Sequence, residues 1–482
     1  MTTDRYGHLF KSDDHKQAMD AIARDVFRRL PRACGFAKLP PMGDSGLSEF
    51  RSFAGQIAAE GHSYALRFHA RIDPAGELEF DLGTLQLSEA NKFVFLGWKS
   101  EDNRTPNFAL SGTAEDGTTF ETSNLHFRGM NTTSNAEGTT FMAKAQCAIG
   151  TFRRTLVSPA PIPLLRMHLK GFRNFGELQT QTPLGKLTMA GSTEIPEPNT
   201  IAGWIALRPN EPPSDLAAWR AEGEKLMEHV RQVLSFAASA MLRPPVMEFY
   251  AGESLELTTR SQTRQTISAM PVFHFLNQRL IFEAAVRSYY EPPIKGANLF
   301  FAIEWFAMDA SYTEVRLINA MTALEYLVES NLGESDQLIQ PRNAFDKSRR
   351  VLRGVICACL AKWQPTDADA VLPELDEKLA DLNRRSLLRK LDLLAQRWNV
   401  PLDDIGRARI AAAKRARDWI THRGQYYKQA KEGDPGLWEH VTIVREVVAR
   451  FLLAAIGFEG GYLSYVGGYH DAQFPRSRSA RY

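Results

Sequence analysis

Between Ser63 and Leu207 apolar and polar residues alternate in short runs: YALRFHARI, LEFDLGTLQL, KFVFLGW, FALSGTA, TTFETSNLHF and LLRMHLKGF. A period of two sends successive side chains to opposite faces of a strand. Turn signals at Asp73-Pro74, Asp116-Gly117 and Glu137-Gly138 separate the runs. Many short strands at this spacing predict an all-β, sandwich-like domain over 51–212. The segment 1–50 before it holds one helical stretch, Lys16 to Leu30, and then a Pro/Gly-rich break, PRACGFAKLPPMGDSG.

The period changes at NEPPSD, where Ser214 or Asp215 is placed to cap a helix running from Leu216 to the Pro244-Pro245 pair. VMEFYAGESLELTTR (246–260) reads as a strand or hairpin, and the region 213–289 connects two domains without belonging clearly to either. Helical spacing then dominates, in segments at 297–309, 313–331, 344–362, 372–398, 402–423 and 437–457. Pro, Gly and Asp breaks between them predict an antiparallel helical bundle over 290–460. The residues 461–482 read as a C-terminal tail, whose last stretch, HDAQFPRSRSARY, is polar, basic and expected to be disordered. The fold class expected is therefore α+β and multidomain: an N-terminal all-β domain followed by a C-terminal all-α bundle.

Composition narrows the chemistry. With 44% hydrophobic and 24% charged residues and a net charge of +2, the chain is an ordinary globular protein with no global field drawing it to nucleic acid. Cys34, Cys147, Cys357 and Cys359 lack the spacing of a zinc site, and their scarcity suits a reducing cytoplasm. No signal peptide and no apolar run of membrane-spanning length is evident, so no membrane partner is expected. No metal cluster, Walker motif, dinucleotide fingerprint or Gly-x-Ser-x-Gly occurs, and no cofactor is expected. His62 and His69 lie in strand-like sequence and are read as structural.

The stretch Arg407 to Tyr427, RARIAAAKRARDWITHRGQYY, sets Arg407, Arg409, Lys414, Arg415, Arg417 and Arg423 against one acid, Asp418. Such a density is either a phosphate-binding patch or a solvated helix face. Within it, Arg417-Asp418-Trp419-Ile420-Thr421-His422, followed by Gly424, resembles the R-x4-6-H motif of HEPN domains. Upstream, LINAMTALEYLVES (317–330) resembles the long early helix of that family. Leu317, Ile318, Met321, Leu324, Val328 and Leu332 share one face of it. Glu325 sits near the edge of this apolar arc, where a carboxylate needs a partner: an ordinary ion pair, or one that orients Arg417. The β-rich region followed by such a bundle resembles the ApeA-like anti-phage proteins, with FVFLGW and FALSGTAEDGTTFETSNLHF among the shared phrases.

The resemblance implies a metal-independent endoribonuclease acting in abortive anti-phage defence, with the β-rich domain sensing a phage-derived trigger. Arg417 and His422 would be catalytic, Asp418 and Glu325 supporting, and Lys414, Arg415, Arg423 and Tyr426 RNA-binding. The partners implied are RNA, transfer or messenger, and a second copy in a homodimer or larger homo-oligomer. The residue types suit the task. An imidazole can remove the 2′-hydroxyl proton, and a guanidinium can hold two phosphate oxygens in a planar fork. The family resemblance implies a 2′,3′-cyclic phosphate product with a 5′-hydroxyl end.

Five positions apart on a straight helix, Arg417 and His422 diverge by about 140°. They meet only if the helix unwinds near Thr421 or a second protomer completes the site. Arg415, nearly in line with His422, is the alternative phosphate ligand. Asp418 either fixes the His422 tautomer or makes a simple i,i+4 pair. Tyr426 and Tyr427 either stack on bases or pack. A non-catalytic module that dimerises or binds RNA, beside a ligand-recognising β domain, uses the same fold.

Overall fold

The computed structural model describes residues 50–59, 61–87, 107–135, 138–194, 199–261, 270–308, 310–363, 368–426 and 436–475. The expected helix at Lys16–Leu30, the FVFLGW run, Cys34 and Tyr427 lie outside them. The described chain forms a large antiparallel sheet followed by a helical region.

Twelve strands make one sheet. They are β1 (Arg51–Ala59), β2 (His62–Ile72), β3 (Leu78–Asp81), β4 (Thr84–Leu87), β5 (Phe108–Ala114), β6 (Thr119–Asn135), β7 (Gly138–Cys147), β8 (Ile149–Lys170), β9 (Glu177–Thr182), β10 (Gly185–Ala190), β11 (Ile201–Arg208) and β12 (Val246–Arg260). The main path runs β3-β2-β1-β5-β6-β8-β11-β10-β9, with β7 joining β4 to β6 and β12 lying along β8. Alternation works as the sequence implies: on β2, Leu66, Phe68, Ala70 and Ile72 are buried, while Arg67 and His69 face outward.

Strand β8 is the hinge of the architecture. Its first half pairs with β6 through Thr151, Phe152 and Arg153, and its second half with β11 through Leu165–Lys170. Between them stand Pro159, Pro161 and Pro163, which offer no N–H to a ladder. Here the register with β12 slips on either side of Gly252, whose φ of 55° suits glycine. Each half of β8 serves a different core. The first is aromatic: Phe53 stacks on Phe68 at 5.1 Å, and Phe120 meets Phe152 at 4.8 Å. The second starts at Leu165, Met167 and Leu169 and continues through Leu187, Ile205 and Leu207 into the helices.

Helix α1 (Leu216–Ala238) covers that second face with Leu226, Met227, Val230 and Leu234. Asp215 caps it, accepting from the Ala218 amide at 2.9 Å. Beyond it come α2 (Arg279–Tyr290), α3 (Phe300–Ala307), α4 (Thr313–Asn331), α5 (Glu334–Gln337), α6 (Arg342–Trp363), α7 (Ala368–Asp381), α8 (Leu387–Trp398), α9 (Arg407–Arg423) and α10 (Leu437–Ala455). The connecting region resolves into β12, an integral strand of the sheet, and α1, which packs on that sheet and on α2.

Two local expectations change, those for 372–398 and for the C-terminal tail, and α10 takes a more central place than its spacing alone implies. The segment read as one helix over 372–398 is broken: it is α7 and α8, the latter capped by Ser386, whose Oγ accepts from the Arg389 amide. Helix α10 is buried on nearly every side, with Val441, Val444, Val447, Phe451 and Leu453 all inaccessible, and is a central strut of the bundle. The start of the C-terminal tail, including His470–Phe474 of the stretch expected to be disordered, forms a hairpin, β13 (Gly460–Ser464) with β14 (His470–Phe474), which buries Tyr462, Ala472 and Phe474. The apolar residues there are too few for a strong signal, and docking on the bundle orders them.

His229 on α1 illustrates how the second core tunes charge. Its Nε2 lies 3.0 Å from Ser288 Oγ on α2, and burial pushes the imidazole below its ordinary pKa against an opposing backbone hydrogen bond at Ala285. The unfolded chain therefore takes up a proton more readily than the fold does. The contribution is whole above about pH 6.5 and is lost as pH falls from there through the lower folded value. His229→Gln is expected to flatten this part of the acid dependence, measured as the shift in urea midpoint between neutral and mildly acidic buffer.

Candidate functional site

Helix α9 buries a narrow stripe of small and branched residues, Ile410, Ala413, Ala416 and Ile420, against the bundle. Its start is set by Arg450 of α10, which donates to the Pro401 carbonyl at 2.8 Å and grips Asp404 at 2.6 and 2.8 Å. Its end is Gly424, at φ 74°, whose amide bonds the Ile420 carbonyl at 2.8 Å. Helix geometry continues without a break from Arg417 to His422, and Thr421 Oγ1 donates back to the Arg417 carbonyl at 2.7 Å. The helix does not unwind at Thr421. One chain therefore leaves the two side chains on different faces.

Arg417 lies on the flank of the buried stripe and is 20% exposed. Its guanidinium pairs with Glu325 of α4, and its Nη1 lies 3.4 Å from Asp418 Oδ1. Asp418 also receives Lys414 Nζ at 2.6 Å, an i,i+4 pair, and among the described residues it does not bond His422. Glu325, Arg417, Asp418 and Lys414 thus form one locally neutral chain of charges. Arg417 Nε is buried and has no hydrogen-bond partner among the described residues, so the guanidinium is not saturated by its carboxylates.

The other face of α9 is different. Arg415, Trp419 and His422, at spacings of four and three, share it with Arg423, and all four are exposed. Arg423 lies over the Trp419 ring, 4.8 Å from its centroid. Among the described residues the imidazole of His422 makes no hydrogen bond or ion pair, which leaves it open to solvent and to a ligand. Tyr426 is half-buried, with its hydroxyl 3.5 Å from His440 Nε2 and its ring edge-on to that imidazole; it packs against the bundle.

Two features escape sequence reasoning. The stretch contains one acid, but tertiary contacts bring three more to it. Arg407 pairs with Asp392 of α8 at 3.3 Å, Arg409 with Glu439 of α10 at 3.0 Å, and Arg417 with Glu325 of α4. The basic patch is thereby reduced to Arg415 and Arg423. The second is exposed tryptophan: Trp419 on α9 and Trp438 at the start of α10 are 43% and 45% exposed. Trp419 has a sequence signal, an aromatic residue among arginines in RDWITHR, whereas Trp438, in GLWEH, has none.

Among the described residues no group of three His, Cys, Asp or Glu side chains could hold a metal, and no helix is long and apolar enough to cross a membrane. In comparisons with family models, curated proteins and solved structures, none matches this chain.

Proposed function

We propose that the chain is a metal-independent endoribonuclease of HEPN type, resembling the ApeA-like proteins and acting in cytoplasmic anti-phage defence. The observation that carries this reading is the exposed imidazole of His422, set beside Arg415, Trp419 and Arg423 on one face of a helix. RNA supplies its own nucleophile. His422 takes the 2′-hydroxyl proton, the 2′-oxygen bonds to phosphorus, and the 5′-oxygen leaves carrying a proton from water. Arg415 is the guanidinium on the imidazole's own face. Arg423 and Trp419 give a cation and a stacking surface for backbone and base. Arg417, held by Glu325 and Asp418, joins His422 only across a homodimer, where one protomer's Arg417 meets its partner's His422. The sandwich-like β region would sense the phage-derived trigger and restrain the nuclease.

A second reading also has its own observation. Arg407, Arg409, Lys414 and Arg417 each already hold a carboxylate. That favours a structural helix in a module that dimerises or binds RNA without cutting it. Purified protein incubated with cellular RNA in EDTA separates the two. Cleavage to cyclic-phosphate ends, lost in His422→Ala and Arg417→Ala, supports the enzyme. Undiminished RNA binding by a wild type that stays inert even with extract of phage-infected cells added leaves only the binding module.

A further inference from the structure

Helices α6 and α7 form an antiparallel pair that stands apart from the bundle core. Among the described residues the continuous core contains none between Leu332 and Leu387, and the pair's own buried apolar side chains are Leu360 and Leu379. Arg353 fastens the two helices through Asp376 at 2.9 Å, and Arg349 donates to the Asp376 carbonyl at 2.9 Å. Two helices burying so little are marginal on their own. Yet α6 also presents Val351, Leu352 and Val355 at 68%, 40% and 57% exposure. These three, with Ala344, Ala358 and Cys359, follow one side of the helix about 120° from the side that meets α7. A solvated surface helix has no need of such a stripe.

The charges say what covers it. Helix α6 carries Arg342, Lys347, Arg349, Arg350, Arg353 and Lys362 against Asp346, whereas α7 carries Asp369, Glu374, Asp376, Glu377 and Asp381 against Lys378. Within one chain Asp376 answers Arg353, while Lys347, Arg350, Glu374 and Glu377 remain exposed. A surface that is basic on one helix and acidic on its neighbour is complementary to itself under a twofold rotation. We propose that the α6–α7 hairpin docks on the same hairpin of a second copy. The docked pair makes an antiparallel four-helix bundle in which basic α6 lies beside acidic α7 of the other chain and the Val351/Leu352/Val355 stripe becomes core. This contact lies on elements other than α9 and holds whether or not the chain cuts RNA.

Light scattering on the full chain tests it. Val355→Glu places a carboxylate in the stripe at a solvent-exposed position, so helix content should persist while the assembly mass falls twofold. Lys347→Glu with Arg350→Glu should do the same, and adding Glu374→Lys with Glu377→Lys should restore the wild-type mass. A wild type that is monomeric at every concentration, or variants that keep the wild-type mass, overturn the proposal. So does loss in these variants of binding to phosphatidylserine vesicles or to RNA with the mass unaltered, which would make the stripe a lipid or nucleic-acid surface. If Val355→Glu lowers helix content, the charge-reversal pair and its rescue decide.

Discussion

His422→Ala is expected to slow RNA cleavage in EDTA by about 10²–10⁴-fold, the usual contribution of a positioned acid–base group. RNA affinity should change by no more than about twofold, because the phosphate contacts come from arginines. The side chain is exposed and its removal breaks no hydrogen bond or ion pair among the described residues, so stability should stay within about 0.5 kcal/mol of wild type. Arg417→Ala should reduce cleavage as well, and mixing the two inactive variants shows where the site lies. In a composite dimer half the re-formed dimers are mixed, and each mixed dimer has one intact Arg417/His422 pair, so about a quarter of wild-type activity returns. With both groups drawn from one chain, or with Arg415 as the working guanidinium, mixing restores nothing. In the Arg415 case, Arg415→Ala and not Arg417→Ala carries the loss. A His422→Ala protein that cuts at the wild-type rate removes the catalytic reading altogether.

Arg450→Met is expected to destabilise the fold by about 3–5 kcal/mol, because it strands a buried carboxylate. Glu446, one turn before Arg450 on α10, is 4% exposed and accepts from Arg450 Nε at 2.9 Å, Tyr462 Oη at 2.5 Å and Ser464 Oγ at 2.9 Å. Arg450, 2% exposed, also grips Asp404 with both terminal nitrogens and reaches the Pro401 carbonyl. The network ties the β13–β14 hairpin, α10 and the entry to α9 together. Against a typical total of about 5–15 kcal/mol, the loss is large. It should appear as a lowered urea midpoint, with the β13–β14 hairpin the first segment to lose hydrogen-exchange protection. As a control, Arg342→Met breaks an ion pair with Glu334 whose partners are 75% and 63% exposed, and should cost less than about 1 kcal/mol. Equal effects of the two substitutions would show that the Glu446 cluster is solvated, contrary to its burial.

Local periodicity, caps and turns made much of the architecture legible beforehand. The alternation in YALRFHARI marks β2, the Asp116-Gly117 turn lies between β5 and β6, Asp215 caps α1, and the 313–331 segment matches α4 residue for residue. These features depend on contacts a few residues apart, which the chain encodes wherever it folds. The same locality exposed Glu325 as a carboxylate in need of a partner and placed His422 in the last turn of a helix.

Tertiary structure alone decided the rest. Glu325, Asp392 and Glu439 neutralise α9 from three other helices, and no spacing rule reports a charge that arrives from 92 residues away, as Glu325 does at Arg417. The split of one sheet into two cores depends on which halves of β8 find β6 and β11. Burial of α10 on nearly every side comes from long-range packing, and the Glu446–Arg450 network ties the 460–474 hairpin to it. Sequence specifies faces and ends because those follow from bond geometry along the chain. Partners across the fold are chosen by long-range packing, and with them the charge that a basic helix finally presents.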